Sequence, residues 1–218
     1  MELYEILAQT EIFKNISAEE IKHMLGCLNP RRTSFEKGAP ILQVGEPANS
    51  IGVLLSGRAE LVYEDANGGR AMLFPVKAGD VFADDYACSS ASAVPASCFA
   101  VTKCEAAFFP YEKMSRICGD ACGCHSTMIQ NLLNSVSEKN RQLYARLMIT
   151  SRKTTREKLI AYLQSEAAKT HGQYFQIPLK RQELADYLGV DRSAMSTELS
   201  KMQKDGLLEY KKNLFRFL

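Results

Sequence analysis

The chain has 218 residues, enough for one or two folded domains, and its hydrophobic content of 46% excludes an intrinsically disordered chain. No hydrophobic run is long enough to cross a bilayer, and the first residues do not resemble a secretory signal, so we expect a cytoplasmic protein without a membrane partner. In that reducing compartment, the 7 cysteines are expected as thiols or metal ligands rather than as disulfides.

The small net charge of +2 conceals an uneven distribution of charge along the chain. Residues 151–218 hold 13 Lys and Arg against 8 Asp and Glu, whereas residues 1–150 hold 14 against 17. The C-terminal part is therefore basic and the remainder is mildly acidic. Because contacts with phosphate dominate the affinity of proteins for nucleic acids, this division favours a polyanion as the partner of the C-terminal part.

Residues 1–111 are predicted to form a β domain that is preceded by helices. Ser17 and Glu20 have the spacing of a capping box, which predicts a helix over residues 18–28. Short β-rich runs follow at 51–55, 59–63, 71–76, 99–101 and 106–109, separated by glycine-containing turns, one of them a hairpin turn at Asn67-Gly68. This spacing is typical of an antiparallel sandwich or barrel, which we call the β-roll.

Residues 112–150 are predicted to contain one long helix and its lead-in. Its apolar seam repeats every seven residues at Ile129, Val136 and Leu143, with Leu132, Leu133, Asn140 and Leu147 in the adjoining positions. A repeat of this length is typical of a helix that pairs with a second helix, and it predicts a homodimer. A single amphipathic helix that packs on its own domain would give a similar pattern, and the two arrangements can coexist.

Residues 151–218 are predicted to form a winged helix-turn-helix. A capping box at Thr154 and Glu157 opens the first helix of this module. Two further helices are predicted at 181–189 and 192–203, and Gly189-Val190-Asp191 supplies the tight turn between them. A two-stranded hairpin over residues 207–218 forms the wing. A basic module of this form indicates a domain that inserts its last helix into the major groove of DNA.

Over essentially its whole length the chain resembles the Crp/Fnr family of transcription regulators. The matching features are Gly45-Glu46, Gly57, Gly79-Asp80, the long helix, and residues 155–159 and 181–208. The resemblance implies an α+β fold with an N-terminal β-roll (jelly-roll) sensor, a long dimerisation helix and a C-terminal winged helix-turn-helix. It also implies a homodimer that binds a pseudo-palindromic operator on double-stranded DNA and contacts RNA polymerase.

The resemblance further assigns residues to the DNA contact. The family's base-reading positions fall on Arg192, Ser193, Ser196 and Thr197, and Arg192 suits either the bidentate edge of guanine or a phosphate. Ser193 and Thr197 stand where the family often has Glu and Arg, so we expect an operator that differs from the well-known family sequences. Contacts with DNA phosphates, which position the protein without reading sequence, are expected from Lys180, Arg181, Gln182, Lys201 and Lys211.

The same resemblance argues against cyclic AMP as the effector. The family's cyclic-nucleotide members hold the ribose with a Glu and the phosphate with an Arg and a neighbouring Ser, and these positions fall on Asp84, Val94 and Pro95. No cation would then face the phosphate, and Asp85 would repel it further. A smaller, less anionic or apolar effector could occupy a pocket formed by Ala83, Asp84, Asp85, Tyr86, Val94, Pro95, Phe99 and Leu143. A sensor without any ligand is the competing interpretation.

A cluster of cysteines suggests a second way of sensing. Cys118, Cys122, Cys124 and His125 are close enough in sequence for a tetrahedral metal site or for thiol redox chemistry. Their spacing is not a usual zinc pattern, and it does not match the N-terminal cluster of the family's oxygen sensors. Buried structural thiols are therefore the favoured interpretation, and we expect no resident metal.

Two other functional classes fit the sequence less well. A β-roll enzyme of the cupin type needs a cluster of His and carboxylate ligands, but the 3 histidines, at 23, 125 and 171, all lie outside the β segment. A scaffold that dimerises through the long helix alone leaves the basic C-terminal module without a role. We therefore expect a regulator rather than an enzyme, in which occupancy or oxidation of the β-roll shifts the long helices and changes the spacing of the two recognition helices.

Overall fold

The computed structural model describes residues 2–47, 49–64, 70–89, 93–116, 123–170 and 172–218. By its internal contacts the chain divides into two compact units, Met1–Glu138 and Lys139–Leu218. The predicted division at residues 111 and 150 stays a prediction. Within the described ranges, no helix combines the length and the hydropathy that are needed to span a membrane.

Short helices open the first unit. Helix α1 spans Leu3–Leu7, a 3-10 turn spans Glu11–Phe13, and α2 spans Ala18–Leu28. The capping box of α2 is present as predicted: the Glu20 amide donates to Oγ of Ser17 at 3.3 Å, and the Ser17 amide donates to Oε2 of Glu20 at 2.8 Å. Buried apolar residues of these helices pack in one core with residues of the β-roll.

The β-roll and its two short helices make up most of the first unit. They are β1 (Arg31–Phe35), β2 (Pro40–Leu42), β3 (Ser50–Ser56), β4 (Arg58–Glu64), β5 (Arg70–Lys77), β6 (Val81–Phe82), α3 (Asp84–Ala87), β7 (Ser97–Ala100), β8 (Cys104–Pro110) and α4 (Tyr111–Ser115). The strands pair antiparallel in two sheets, with the orders β1-β8-β3-β6 and β2-β7-β4-β5. The five predicted runs correspond to β3, β4, β5, β7 and β8.

Strands β1, β2 and β6 were not predicted, because β1 is polar and the other two are very short. The predicted hairpin turn at Asn67-Gly68 lies outside the described residues. The strands before and after it, β4 and β5, do pair antiparallel, from Arg58 opposite Lys77 to Glu64 opposite Arg70.

The long helix α5 spans Gly123–Thr150, close to its predicted bounds. It is followed by α6 (Thr155–Ala167), β9 (Phe175–Gln176), α7 (Arg181–Leu188), α8 (Arg192–Lys204), β10 (Leu208–Lys211) and β11 (Leu214–Phe217). The predicted two-stranded wing is present as the antiparallel hairpin of β10 and β11, and β9, which was not predicted, joins it in a sheet of order β10-β11-β9. Strand β9 has only two residues, too few to show an alternating pattern, and it is fixed by pairing with β11.

Candidate nucleic-acid interface

Helices α7 and α8 are held together by an apolar core that is part of the second unit. Every third or fourth side chain of each helix is buried, as expected for helices that pack along one face: Leu184, Ala185, Leu188, Met195, Leu199 and Met202. Between the helices, Gly189 adopts a left-handed conformation with φ +62°, which a glycine accepts without strain. The helix-turn-helix predicted from the sequence is therefore present.

The first turn of α8 is fixed by its N-cap, Asp191. The carboxylate of Asp191 accepts hydrogen bonds from the Ala194 amide at 2.8 Å and from the Ser193 hydroxyl at 2.5 Å. These bonds, with that from Ser193 the stronger influence, lower the pKa of Asp191. The Ser193 hydroxyl is thus turned towards its own helix cap, which orders the end of α8 where the first base-reading residues were predicted.

The remaining predicted base-reading residues of α8 lie outside its apolar core. Arg192 and Thr197 are exposed, and Ser196 is half-buried with its hydroxyl donating to the carbonyl of Arg192 at 2.9 Å. Lys201, predicted to contact phosphate, is exposed one turn further along, and its Nζ lies 3.9 Å from Oε2 of Glu198. The structure therefore leaves one long cation, short hydroxyl side chains and a lysine outside the apolar core along this helix.

Helix α8 is anchored to α6 by Arg156. Its Nε donates to Oε1 of Glu198 at 2.6 Å, and its Nη2 donates to the carboxylate of Asp205 just past the end of α8. Its neighbour Lys158 donates to the carbonyl of Leu188 at 3.2 Å, at the end of α7. Helix α6 thus contacts both helices of the motif through charged side chains that the sequence analysis did not assign to the site.

The predicted phosphate-contacting residues of α7 differ in their surroundings. Lys180, the N-cap, is exposed, and its amide donates to Oε2 of Glu183 at 2.7 Å. Gln182 is also exposed, and its Nε2 donates to Oδ1 of Asp186 at 2.9 Å. Arg181 between them is half-buried and turns inward towards the wing.

In the wing, the side chains of Lys211 and Lys212 are exposed at the hairpin turn. Lys211 was predicted to contact phosphate, whereas Lys212 was predicted only as part of the turn. Lys212 adopts a left-handed backbone conformation with φ +55°. Together with Arg181 and other wing residues, the two lysines line a cleft of about 570 Å³. The cleft is strongly basic because three of its lining residues are cations.

The predicted effector-pocket residues of the β-roll are dispersed between core and surface. Asp84 and Val94 are buried, Ala83 and Tyr86 are half-buried, and Asp85 and Pro95 are exposed. Burial raises the pKa of Tyr86, and the neighbouring charge of Asp85 adds to that effect. These six side chains therefore differ in their exposure, and the pocket stays a prediction.

The two further residues predicted for the effector pocket lie on β7 and α5, and their part in a pocket stays a prediction. Phe99 follows Cys98 on β7, so the alternation of the strand turns it away from the roll core in which Cys98 and Ala100 pack. Leu143 is on α5 in the second unit, and 46% of its surface is exposed.

The interior of the β-roll is filled with aromatic side chains. The rings of Phe82 and Phe108 meet edge to face with centroids 5.8 Å apart, and Phe35 contacts Phe108 in the same way at 6.3 Å. Phe82 also lies directly over Gly52, where a Cβ atom would come within 2.2 Å of the ring. Gly52 therefore leaves the space that Phe82 occupies.

The predicted cysteine cluster is described only in part, because Cys118 and Cys122 lie outside the described residues. In the first turn of α5, Cys124 is half-buried and its Sγ donates to Oε1 of Glu20 at 3.2 Å. The next residue, His125, is buried, and burial lowers its pKa. Both side chains pack or bond within the first unit, which is how structural residues behave.

Two models of known protein families match this chain, one in the region of the β-roll and one in the region of the helix-turn-helix. Residues 32–120 match the cyclic nucleotide-binding domain, and residues 157–217 match the Crp-like helix-turn-helix domain. The CRP-like protein Clp of Xanthomonas euvesicatoria pv. vesicatoria is 24% identical to this chain over 204 residues, which cover 88% of the chain and 85% of the relative.

Solved structures share the fold. The c-di-GMP responsive global regulator CLP of Xanthomonas campestris superposes with a TM-score of 0.64 at 18% identity, covering 92% of this chain and 99% of that one. The catabolite activator protein of Thermus thermophilus does so with a TM-score of 0.56 at 20% identity, covering 96% and 94%.

The two domain matches occur in the order of the β-roll and the winged helix-turn-helix that the structure contains. The helix-turn-helix match and the relative's name point to the same kind of protein, a transcription factor rather than an enzyme. The α+β fold predicted from the sequence is confirmed. The chain belongs to the Crp/Fnr family and is a DNA-binding transcription regulator.

Proposed function

We propose that the protein works as a homodimer paired along α5. The exposed apolar side chains of this helix support the proposal: Leu133, Leu143 and Leu147 are 56%, 46% and 61% exposed, and Leu133 and Leu147 lie on either side of Asn140 at intervals of seven residues. Residues nearer the start of α5, such as Met128 and Leu132, are buried in the first unit. In the proposed dimer the two arrangements that the sequence left open would coexist: the start of α5 packs on its own unit, and the exposed leucines are available to a second copy.

The dimer would present its two α8 helices to neighbouring turns of a pseudo-palindromic operator. Arg192, Ser193, Ser196 and Thr197 would contact base edges, while Lys180, Gln182, Lys201 and Lys211 would contact phosphates. A single observation carries this assignment: α8 buries Met195, Leu199 and Met202 in an apolar core and leaves Arg192 and Thr197 exposed. RNA polymerase is the further partner we propose, and a location in the cytoplasm gives access to both.

For the sensor we propose a signal other than cyclic AMP. Asp84 and Val94, at the positions where the family's nucleotide binders have Glu and Arg, are buried and supply no cation. A monoanionic phosphate there would lose its hydration without a charge to replace it. A less anionic ligand or a redox signal at thiols is the alternative, and residues 1–111, 112–150 and 151–218 would then act as sensor, dimerisation helix and reader.

The DNA-binding proposal is tested by selecting binding sites for the purified full chain from random duplexes, followed by hydroxyl-radical footprinting. We expect enrichment of a twofold-symmetric site with protection of two half-sites about one helical turn apart. Uniform recovery of all sequences would contradict the proposal.

The sensor is tested on the selected site by measuring operator affinity with cyclic AMP, with cyclic di-GMP, and with oxidant or reductant added. Cyclic di-GMP is included because the Xanthomonas campestris regulator is described as responsive to it. Calorimetric binding of cyclic AMP at micromolar concentration would contradict our interpretation of Asp84 and Val94. An operator affinity that is equal under every condition would instead indicate a sensor without a ligand.

A further inference from the structure

Arg181, the first residue of α7, is surrounded by the wing hairpin. Its Cζ lies 5.1 Å from the ring centroid of Tyr210 and 5.2 Å from that of Phe215, one on each strand of the hairpin. Its Nη2 donates to the carbonyl of Lys212 at the hairpin turn, at 2.8 Å. The guanidinium thus contacts both strands and the turn between them.

The environment of Arg181 is that of an enclosed cation. Nη1 is buried, and among the described residues it has no hydrogen-bond acceptor. Burial lowers the pKa of Arg181. A group that meets a DNA phosphate from solution would instead keep its charge exposed, as Lys211 and Lys212 do.

The contacts of Arg181 also determine where the two lysines lie. The carbonyl that it holds belongs to Lys212, whose left-handed conformation makes the turn. Both lysines and Arg181 line the same cleft beside the wing. A hairpin of four-residue strands has few contacts of its own, so fixing its turn to α7 restricts where its charged side chains can point.

We propose that Arg181 is a positioning residue for the wing: it fixes the hairpin to α7 so that Lys211 and Lys212 meet the DNA backbone, and it makes no phosphate contact itself. This inference rests on the proposed DNA-binding function. It replaces the phosphate contact that the sequence predicted for Arg181. It also adds Lys212 to the residues that contact phosphate.

Substituting lysine for Arg181 distinguishes a phosphate contact from a positioning role. A phosphate contact needs mainly a positive charge, which Lys also carries. Lying over two rings at once while donating to a carbonyl needs the planar fork of the guanidinium, which Lys lacks. Arg181→Lys should therefore weaken operator binding as much as Arg181→Ala does. If Arg181 contacted a phosphate instead, the Arg181→Lys protein would keep most of the wild-type affinity.

The decisive experiment is a double-mutant cycle on the selected operator, measured over a series of salt concentrations. Lys211→Ala together with Lys212→Ala should weaken binding and reduce the slope of log K against log salt by about 2, because each lost phosphate contact lowers it by about 1. Arg181→Lys, added to that double variant, should cause no further loss of affinity. An additive loss, with Arg181→Ala lowering the slope by about 1 more, would overturn the proposal.

A second measurement needs no DNA. Hydrogen exchange of the free protein should show faster exchange of wing amides, in residues 208–217, for Arg181→Lys than for the wild type, with unchanged exchange in α8. Tyr210→Leu, which removes one of the rings and no charge, should have the same effect and serves if the Arg181 variants fold poorly. Wing exchange that stays at the wild-type rate in these variants would contradict the proposal. If the wild type selects no operator, the proposed function fails, while this measurement still decides whether Arg181 anchors the wing.

Discussion

Arg156 of α6 and Glu198 of α8 form a charged contact across 42 residues of sequence, with Nε 2.6 Å from Oε1. The same guanidinium also bonds Asp205, so it holds α8 at two points. These bonds to Asp205 and Glu198 raise the pKa of Arg156. In the proposed complex, the orientation of α8 within its domain sets how its side chains enter a groove, so we expect this contact to affect both the stability of the domain and its affinity for DNA.

We expect Arg156→Gln to lower both the thermal stability of the second unit and the affinity for the operator. Glu198 is only 20% exposed, so it would be left with much less solvation than a surface carboxylate and no guanidinium. Thermal unfolding and operator binding measure the two effects. Arg152→Gln, which removes a positive charge from an exposed residue just before α6, is the control and should change unfolding little. Equal unfolding temperatures for the two variants would contradict this role of Arg156.

The fit between Gly52 and Phe82 predicts the effect of adding one methyl group to the β-roll. In Gly52→Ala the new Cβ would lie 2.2 to 2.6 Å from three ring atoms of Phe82, so the ring must move within a filled core. Such overpacking costs about 1–3 kcal/mol of folding stability.

Gly26 of α2 provides the matched control, since it is exposed and a Cβ there would meet nothing within 4 Å. Gly26→Ala should stabilise the protein by about 0.5–1 kcal/mol, because Ala favours a helix interior. Both values come from thermal unfolding of the first unit. A Gly52→Ala protein as stable as the wild type would mean that the roll interior is loosely packed and has room for a ligand.

Cys98 is expected to be chemically inert in the folded protein. It is fully buried in the β-roll, and burial raises its pKa to about 12, with smaller contributions from Cys104 and Glu60. Since the thiolate is the reactive form, iodoacetamide at pH 8 should label Cys98 only after unfolding, whereas the exposed Cys27 and Cys88 should react in the native state. Peptide mapping by mass spectrometry distinguishes these sites. Native labelling of Cys98 as fast as Cys88 would instead indicate a roll that opens to solvent, and would strengthen the case for redox sensing there.

If α5 pairs with a second copy as proposed, a charge introduced among its exposed leucines should favour the monomer. Leu143→Asp should raise the dissociation constant of the dimer by more than about tenfold, since burying one leucine contributes about 1.5–3 kcal/mol. Analytical ultracentrifugation measures this change. Ala145→Asp puts the same charge on an exposed position two residues away, outside the seven-residue repeat, and should leave the dimer intact. Equal effects of the two substitutions on the dissociation constant would exclude the exposed leucines of α5 as the interface.

The sequence predicted best the features that local interactions determine. Both capping boxes, at Ser17 and Thr154, are present, because each needs only residues three positions apart. The turn between α7 and α8 likewise follows from a single glycine, and the inward faces of these helices follow from their spacing. The strands were recognised where they were long and apolar.

The features that escaped prediction depend on contacts between distant residues. Nothing near Arg156 in the sequence indicates Glu198, and Arg181 looks like an exposed cation until the wing folds back on it. Strand β9 exists because β11 offers it a partner. The effector pocket was assigned by position along the chain, and strand alternation then directed Phe99 away from the roll core, which no count of residues could reveal without the register of β7.

We propose that Arg192 on α8 reads a base of the operator. The decisive comparison is between the wild type and Arg192→Ala, each bound to the selected operator and to all its single-base variants. We expect Arg192→Ala to lose about 1–3 kcal/mol of binding and to accept any base at one position per half-site, while the other positions keep their preferences. Lys201→Ala, the control, should weaken binding to every variant alike. If Arg192→Ala binds all these duplexes with the wild-type affinities and preferences, the account of α8 as the reading helix is wrong.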